Sequence, residues 1–231
     1  MAKDLAIVLC DGGLNSTVVA SLAQQRHRLI LLSADLGGQM LGGGGGGSGS
    51  AVAGSRKQAA YEMLVAVLKP YREHTLPMPY LNWVRRSGPA ATTATVDPRS
   101  ASELSPRLVE LTPLVATAVR FASHYNATSI HLGLRVGPDS ADLARATEYL
   151  QVWNELMQMP CGLPELELQL PLLELEPWQV VDVGALVSCP FEKSWSCEQD
   201  HAEPCGVCPG CRLREAAFEQ AAKADPLRPK K

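Results

Sequence analysis

Residues 5–35 read LAIVLCDGGLNSTVVASLAQQRHRLILLSAD, and this stretch decides the fold. Residues 5–10 are a short apolar run rich in branched side chains, the pattern of a strand buried on both faces. Asp11-Gly12-Gly13 stops that run, because paired glycines favour a turn over continued pleating. A helix-compatible segment follows from Ser16 to about Gln25, and RLILLSAD at 28–35 is a second apolar run. Strand, glycine turn, helix and strand in about thirty residues make one βαβ unit, which predicts a doubly wound parallel sheet.

Working outward, the alternation continues. QAAYEMLVAVLKPY (58–71) has helical spacing and stops at Pro70, and HTLPMPYL (74–81) is a candidate strand broken by prolines. The longest helix signal spans 106–126 and leads into SIHLGL at 129–134. A further amphipathic helix is expected over 140–159, an interrupted strand over 166–175 and a short helix over 177–187. Strands alternating with helices predict an α/β chain with a parallel sheet covered on both faces. The Gly/Ser-rich stretch 41–55 has no side chains with which to build a core and reads as a flexible loop, as does 85–106. Two units are therefore expected, an α/β domain over 1–187 and a C-terminal subdomain over 188–231.

With 231 residues the chain is long enough for a substantial core. A net charge of −3 and a pI near 6.0 provide no basic field for nucleic acid or an anionic membrane surface. The start MAKDLAIVLCDGG lacks a long apolar segment, and no run of eighteen apolar residues occurs. The expectation is a soluble protein in the reducing cytoplasm, with Cys10, Cys161 and Cys189 as buried free thiols.

Four of the seven cysteines fall in the fifteen residues 197–211, spaced Cys197-x7-Cys205-x2-Cys208-x2-Cys211. Four soft thiolates on a tight Gly/Pro turn suit tetrahedral zinc, and Gly206, Pro209 and Gly210 supply that turn. Cysteines two residues apart bridge poorly, which weakens a disulfide reading. Metal ligation would order a segment whose few apolar residues are Pro190, Phe191, Trp195 and Val207, followed by a closing helix over 213–223.

Gly12, Gly13, Asn15, Ser16 and Thr17 stand where a strand passes into a helix. Glycines there let backbone amides approach a phosphate, and the helix N-terminus adds partial positive charge. Taken alone, these residues also leave an ordinary glycine turn with an N-cap open.

The two motifs together resemble one family. Residues 11–17 are similar to the Ser-Gly-Gly-x-Asp-Ser loop of the PP-loop ATP pyrophosphatases. PFEKSWSC at 190–197 and CGVCPGCRLREAAFEQA at 205–221 resemble the zinc tail of bacterial 7-cyano-7-deazaguanine synthases. The resemblance follows the element order through most of the chain and is strongest over 171–220. It implies a Rossmann-like PP-loop fold, ATP, magnesium, one structural zinc and usually a homodimer. It also implies activation of the carboxylate of 7-carboxy-7-deazaguanine, amidation by ammonia, and dehydration of the amide to the nitrile.

The chain departs from the family pattern at named positions. Asp11 stands for the loop's first serine and Asn15 for its aspartate. The Asp-Tyr-Gly-Gln-x-His stretch appears as Asp35-Leu36-Gly37-Gly38-Gln39-Met40, keeping Asp35 beside the expected adenosine or metal. The Pro-Gly-Arg-Asn turn is replaced by Pro106-Arg107-Leu108-Val109-Glu110, and the substrate loop has no counterpart within 132–149. Two readings follow: an ATP-dependent C–N ligase on a deazapurine-like carboxylate, or a non-catalytic relative that keeps fold and zinc as a binding scaffold.

Remaining candidates carry structural readings. His131 is expected as a satisfied core histidine, His201 as solvent-facing, and Trp195 as packing the knuckle onto the sheet. Arg212 and Arg214 read as solvated cations, and Asp139 and Asp142 as helix-start carboxylates.

Overall fold

The computed structural model describes residues 3–35, 56–81, 104–138, 140–199 and 201–228. The expected loop at 41–55, residues 85–103 of the expected loop 85–106, the stretch 36–40 and Asp139 lie outside the described residues; residues 104–106 are helical rather than loop.

Among the described residues, five parallel strands form one sheet in the order β3-β2-β1-β4-β5. They are β1 (Leu5–Leu9), β2 (Arg28–Asp35), β3 (Arg72–Pro77), β4 (Ser129–Leu132) and β5 (Glu167–Gln169). The helices between and after them are α1 (Leu14–Arg26), α2 (Arg56–Leu68), α3 (Leu104–Tyr125), α4 (Leu143–Gln158), α5 (Pro177–Leu186) and α6 (Pro209–Gln220). Side chains alternate across the pleat, so each apolar strand serves two cores. Ile7 pairs in register with Ile30 on one side and Ile130 on the other, and Ile130 pairs with Leu168. This row belongs to the layer packed by α3 and α4, with Val115, Ala118 and Met157. Val8, Leu29 and Leu31 point the other way and pack with Val18 and Val19 of α1, Leu64 of α2 and Val180 of α5.

Several elements differ from their sequence outlines for local reasons. α1 begins at Leu14 rather than Ser16, with Gly13 at the N-cap and no side-chain cap. The Ser16 hydroxyl is used elsewhere, as described below. The expected strand over 166–175 is reduced to Glu167–Gln169, because Pro171 has no N–H for a ladder and the chain turns at Leu172 and Leu173. The Leu173 carbonyl instead accepts from the amides of Val136 and Gly137, both at 2.9 Å, which anchors the loop after β4. Cys10 and Cys189 are buried, and burial pushes their thiols up to about 12 and about 11. Cys161, expected to be buried, is instead exposed, because it lies in the turn that follows α4.

Strand order reverses between β1 and β4. In doubly wound sheets the crevice beyond the strand C-termini at such a point is where ligands bind. The ends of β1 and β4, the N-terminus of α1 and the C-terminal tail all meet there.

Candidate functional site

The loop Asp11–Gly13 leaves β1 and enters α1. Gly12 has φ +79°, and a Cβ there would lie 2.6 Å from the Lys57 carbonyl oxygen and 3.0 Å from the Tyr61 amide nitrogen. Only glycine gives both this backbone conformation and this close approach to α2. Its importance is therefore closer to packing against α2 than to contact with a ligand.

The loop's donors converge on Asp11. Ser16 donates its hydroxyl to Asp11 Oδ1 at 2.6 Å, and the Gly13 amide donates to the same oxygen at 2.9 Å. Lys57 Nζ, from α2, lies 3.4 Å from the other oxygen, Oδ2. Crowding by the loop works to raise the Asp11 pKa. The Lys57 ammonium and the two hydrogen bonds outweigh it and hold the carboxyl below its ordinary value. Lys57 carries no sequence motif. It becomes visible only when α2 is laid beside the loop.

The other loop residues divide their roles. Thr17 is fully buried and donates its hydroxyl to the Gly13 carbonyl at 2.7 Å, so it braces the turn from within. Asn15 reaches across the switch point and donates through Nδ2 to the Gly133 carbonyl at 3.4 Å, tying α1 to the end of β4. Asp35 ends β2 at the same edge of the sheet as the loop and is exposed. Gly12, Gly13, Asn15, Ser16 and Thr17 thus form one turn, with Asp35 one strand away.

The second part of the site is the knuckle. The sulfurs of Cys197, Cys205, Cys208 and Cys211 all lie within 4.8 Å of one another. Cys197 to Cys208 is 3.9 Å and Cys205 to Cys211 is 4.0 Å. A tetrahedral zinc with bonds of about 2.3 Å would set its sulfurs about 3.8 Å apart, so the donor set and spacing fit one such ion. Amides support the sulfurs as they would support thiolates. Gln199 and Cys205 donate to Cys197 Sγ, and Glu198 and Cys211 donate to Cys208 Sγ, each at 3.4 Å. The amides of Val207 and Cys208 draw the Cys205 thiol down to about 6, whereas burial pushes Cys211 up.

The closing helix starts earlier than its sequence outline. α6 begins at Pro209, with Cys208 as N-cap and Cys211 in its first turn, so two ligands sit on the helix start itself. Gly210 is required by contact, since a Cβ there would lie 2.1 Å from the Ser196 carbonyl oxygen.

Tail and loop are joined. The Trp195 amide donates to the Gly12 carbonyl at 2.7 Å. The Trp195 ring packs with Ala60 of α2 and with Cys197, Cys208 and Cys211, so it seats the knuckle on α2 rather than on the sheet. Arg56 lies over that ring, 5.7 Å from its centroid, and donates to the His201 carbonyl at 2.9 Å. Arg214 is only 5 % exposed, contrary to the expectation of a solvated cation. It grips Asp225 with Nε at 2.8 Å and Nη2 at 2.9 Å, and donates to Ser194 Oγ at 2.8 Å and the Phe191 carbonyl at 3.0 Å. A guanidinium clamp therefore closes the tail. Its signal in sequence is only an arginine among helix residues.

The remaining candidates fall where expected, with one difference. His131 is 4 % exposed and bonded through Nε2 to Ser129 Oγ at 3.0 Å, and burial pushes its pKa down to about 4. The side chains of His201 and Arg212 are exposed. Asp142 occupies the N-cap position of α4 but makes no side-chain cap bond, pairing instead with Arg145 at 3.2 Å.

Fold and site define a class: a doubly wound α/β protein with a glycine loop at its switch point and a four-cysteine cluster beside it. The family model described as "Queuosine biosynthesis protein QueC" matches residues 54–222, and the chain belongs to that family. It is 27 % identical over 229 residues to the 7-cyano-7-deazaguanine synthase of Koribacter versatilis, covering 96 % of this chain and 92 % of the relative. The synthase of the same name from Thermosynechococcus vestitus is 26 % identical over 238 residues, covering 96 % and 94 %. Among solved structures, an NH3-dependent NAD synthetase from Campylobacter jejuni is similar with 10 % identity and a TM-score of 0.46, over 100 % of this chain and 90 % of that one. No helix among the described residues is long and apolar enough to cross a membrane.

Proposed function

We propose that this chain is a carboxylate-activating C–N ligase of the 7-cyano-7-deazaguanine synthase type. It works in the cytoplasm as a homodimer, on 7-carboxy-7-deazaguanine or a closely related acid, with ammonia as the nitrogen source. The observation that carries the reading is the donor set at the switch point. The Gly13 amide, the Ser16 hydroxyl and the Lys57 ammonium already hold an oxyanion, the carboxylate of Asp11. That carboxylate is a stand-in for a phosphate, and the donors that suit one suit the other. The names of the relatives support the same activity over nearly the whole chain.

ATP, when bound with magnesium, supplies the adenylyl group that makes the acid's oxygen, and then the amide's, a leaving group. This chain's own residues bind and orient. Gly13, Ser16 and Lys57 would hold phosphate oxygens, Asn15 fixes the loop to β4, and Asp35 presents a carboxylate at the neighbouring strand end. Such a site works by positioning and by fixed dipoles rather than by a nucleophile of its own. The four cysteines would hold one zinc with no open position, so that ion is structural and takes no part in the chemistry.

Asp11 also favours a second reading, in which the loop is permanently closed and the chain is a non-catalytic scaffold. One assay separates the two. Purified protein with ATP, magnesium, ammonia and 7-carboxy-7-deazaguanine should release AMP and yield the nitrile by mass spectrometry. Absence of both products, from the parent and from Asp11→Ser alike, would leave the scaffold reading.

A further inference from the structure

We propose that Asp11 is the resting occupant of the anion cradle, and that a phosphate-bearing ligand enters only by displacing it. The proposal rests on the reading of the loop given above and adds a residue that decides which ligands the loop admits.

Three features carry it. First, two donors from different parts of the turn meet one oxygen: Ser16 at 2.6 Å and Gly13 at 2.9 Å. These are the groups a phosphate would require, and each already has its acceptor. Second, the turn is shaped around the carboxylate. The nearest atoms to a Cβ on Gly13 would be those of the Asp11 carboxylate, with Oδ1 at 2.9 Å, so a side chain at 13 and a seated Asp11 exclude each other. Third, the seat can be vacated. The Asp11 side chain is 62 % exposed and its partner Lys57 is 47 % exposed, so rotation of Asp11 into solvent leaves no buried charge behind.

The charge balance sets the consequence. Seated Asp11 neutralises Lys57 and opposes the positive end of α1. An incoming pyrophosphate therefore meets an anion already seated on the Ser16 hydroxyl and the Gly13 amide. With Asp11 rotated away, the same ligand meets Lys57, the Ser16 hydroxyl and the Gly13 amide together. Exchange of one anion for another costs affinity, because part of the gross binding energy goes into releasing the first.

The test is calorimetric titration of the full chain with inorganic pyrophosphate and magnesium, which needs no deazapurine and no turnover. Asp11→Ser and Asp11→Asn should each bind roughly tenfold or more tightly than the parent, since each removes a competing charge-assisted acceptor. Two replacements are used so that a folding defect in one, seen by thermal melting, does not decide the result. Equal or weaker binding by both variants, or no binding by any of the three proteins, would overturn the proposal. Nitrile formation by the parent without such a gain would leave the ligase reading standing and remove only the role of Asp11. A gain without turnover would do the reverse.

Discussion

The glycine loop at 11–17 and the cysteine knuckle at 197–211 meet at one place and are held by different forces. The loop is made of short-range backbone geometry. Gly12 turns in the left-handed region against α2, Thr17 bonds back to Gly13, and Asp11 gathers the nearby donors. The knuckle has few apolar groups of its own and is ordered by four sulfurs, supporting amides and a guanidinium clamp. They are joined through the residues just before the knuckle, where the Trp195 amide donates to the Gly12 carbonyl at 2.7 Å. The loop can therefore adjust at its exposed carboxylate, while the knuckle is fixed by its converging sulfurs. An exposed carboxylate can leave its seat, whereas a largely buried four-cysteine set cannot lose one member without disturbing the rest.

The largest effect is expected at the knuckle. Cys205→Ser should remove the metal and with it a large part of the tail's stability, since binding energies of about 10–16 kcal/mol are typical for structural zinc in small domains. Elemental analysis should fall from one equivalent of zinc towards zero, and limited proteolysis should cut within 188–228 while β1–α1–β2 stays intact. Retention of a full equivalent would show that these four cysteines are not the ligands.

A smaller effect is expected at the clamp. Arg214→Ala strands Asp225, itself 7 % exposed, as a buried unpaired carboxylate. Removal of one partner from such a pair costs about 3–5 kcal/mol. Chemical denaturation should show that loss; a change below about 1 kcal/mol, the range of exposed pairs, would mean that the clamp is solvated in solution.

The loop gives smaller effects still. Gly12→Ala costs about 1–2 kcal/mol from the left-handed conformation alone, with the collision at the Lys57 carbonyl added to it. Its melting temperature should fall while its zinc content stays at one equivalent. Smallest of all is Lys57→Ala. Both members of its pair are substantially exposed, so stability should change by only about 0–1 kcal/mol. Whatever Asp11 contributes follows its lowered pKa. The contribution is complete above the ordinary carboxylate value and lost as pH falls through the lowered one, so Lys57→Ala should flatten the acid side of a stability–pH curve.

These two regions also mark what could be read without coordinates. The cysteine spacing announces its ligands because metal geometry constrains neighbours in sequence, and all four sulfurs converge as that spacing predicts. The β1–α1–β2 unit is equally legible, since a buried parallel strand must be apolar throughout. Lys57 and the Arg214 clamp are not legible. Each acts on a partner 46 or 11 residues away, and nothing in a lysine or an arginine on a helix names that partner. Asp11 is an intermediate case. Its departure from the family loop is plain in sequence, but its occupation of the cradle appears only from the distances to Ser16 and Gly13. The shortened β5 and the early start of α6 each come from a proline, one without an N–H for the ladder and one at the first helical position.

The claim that loop and knuckle form one assembly is tested most directly by hydrogen exchange, read by mass spectrometry, before and after zinc is removed with a chelator. Faster exchange is expected in three segments: the tail, the start of α2 around Arg56–Tyr61, and the loop at 11–17. β1 and β2 should keep their protection. A tail that loses its protection while the loop and α2 exchange at an unchanged rate would contradict the claim.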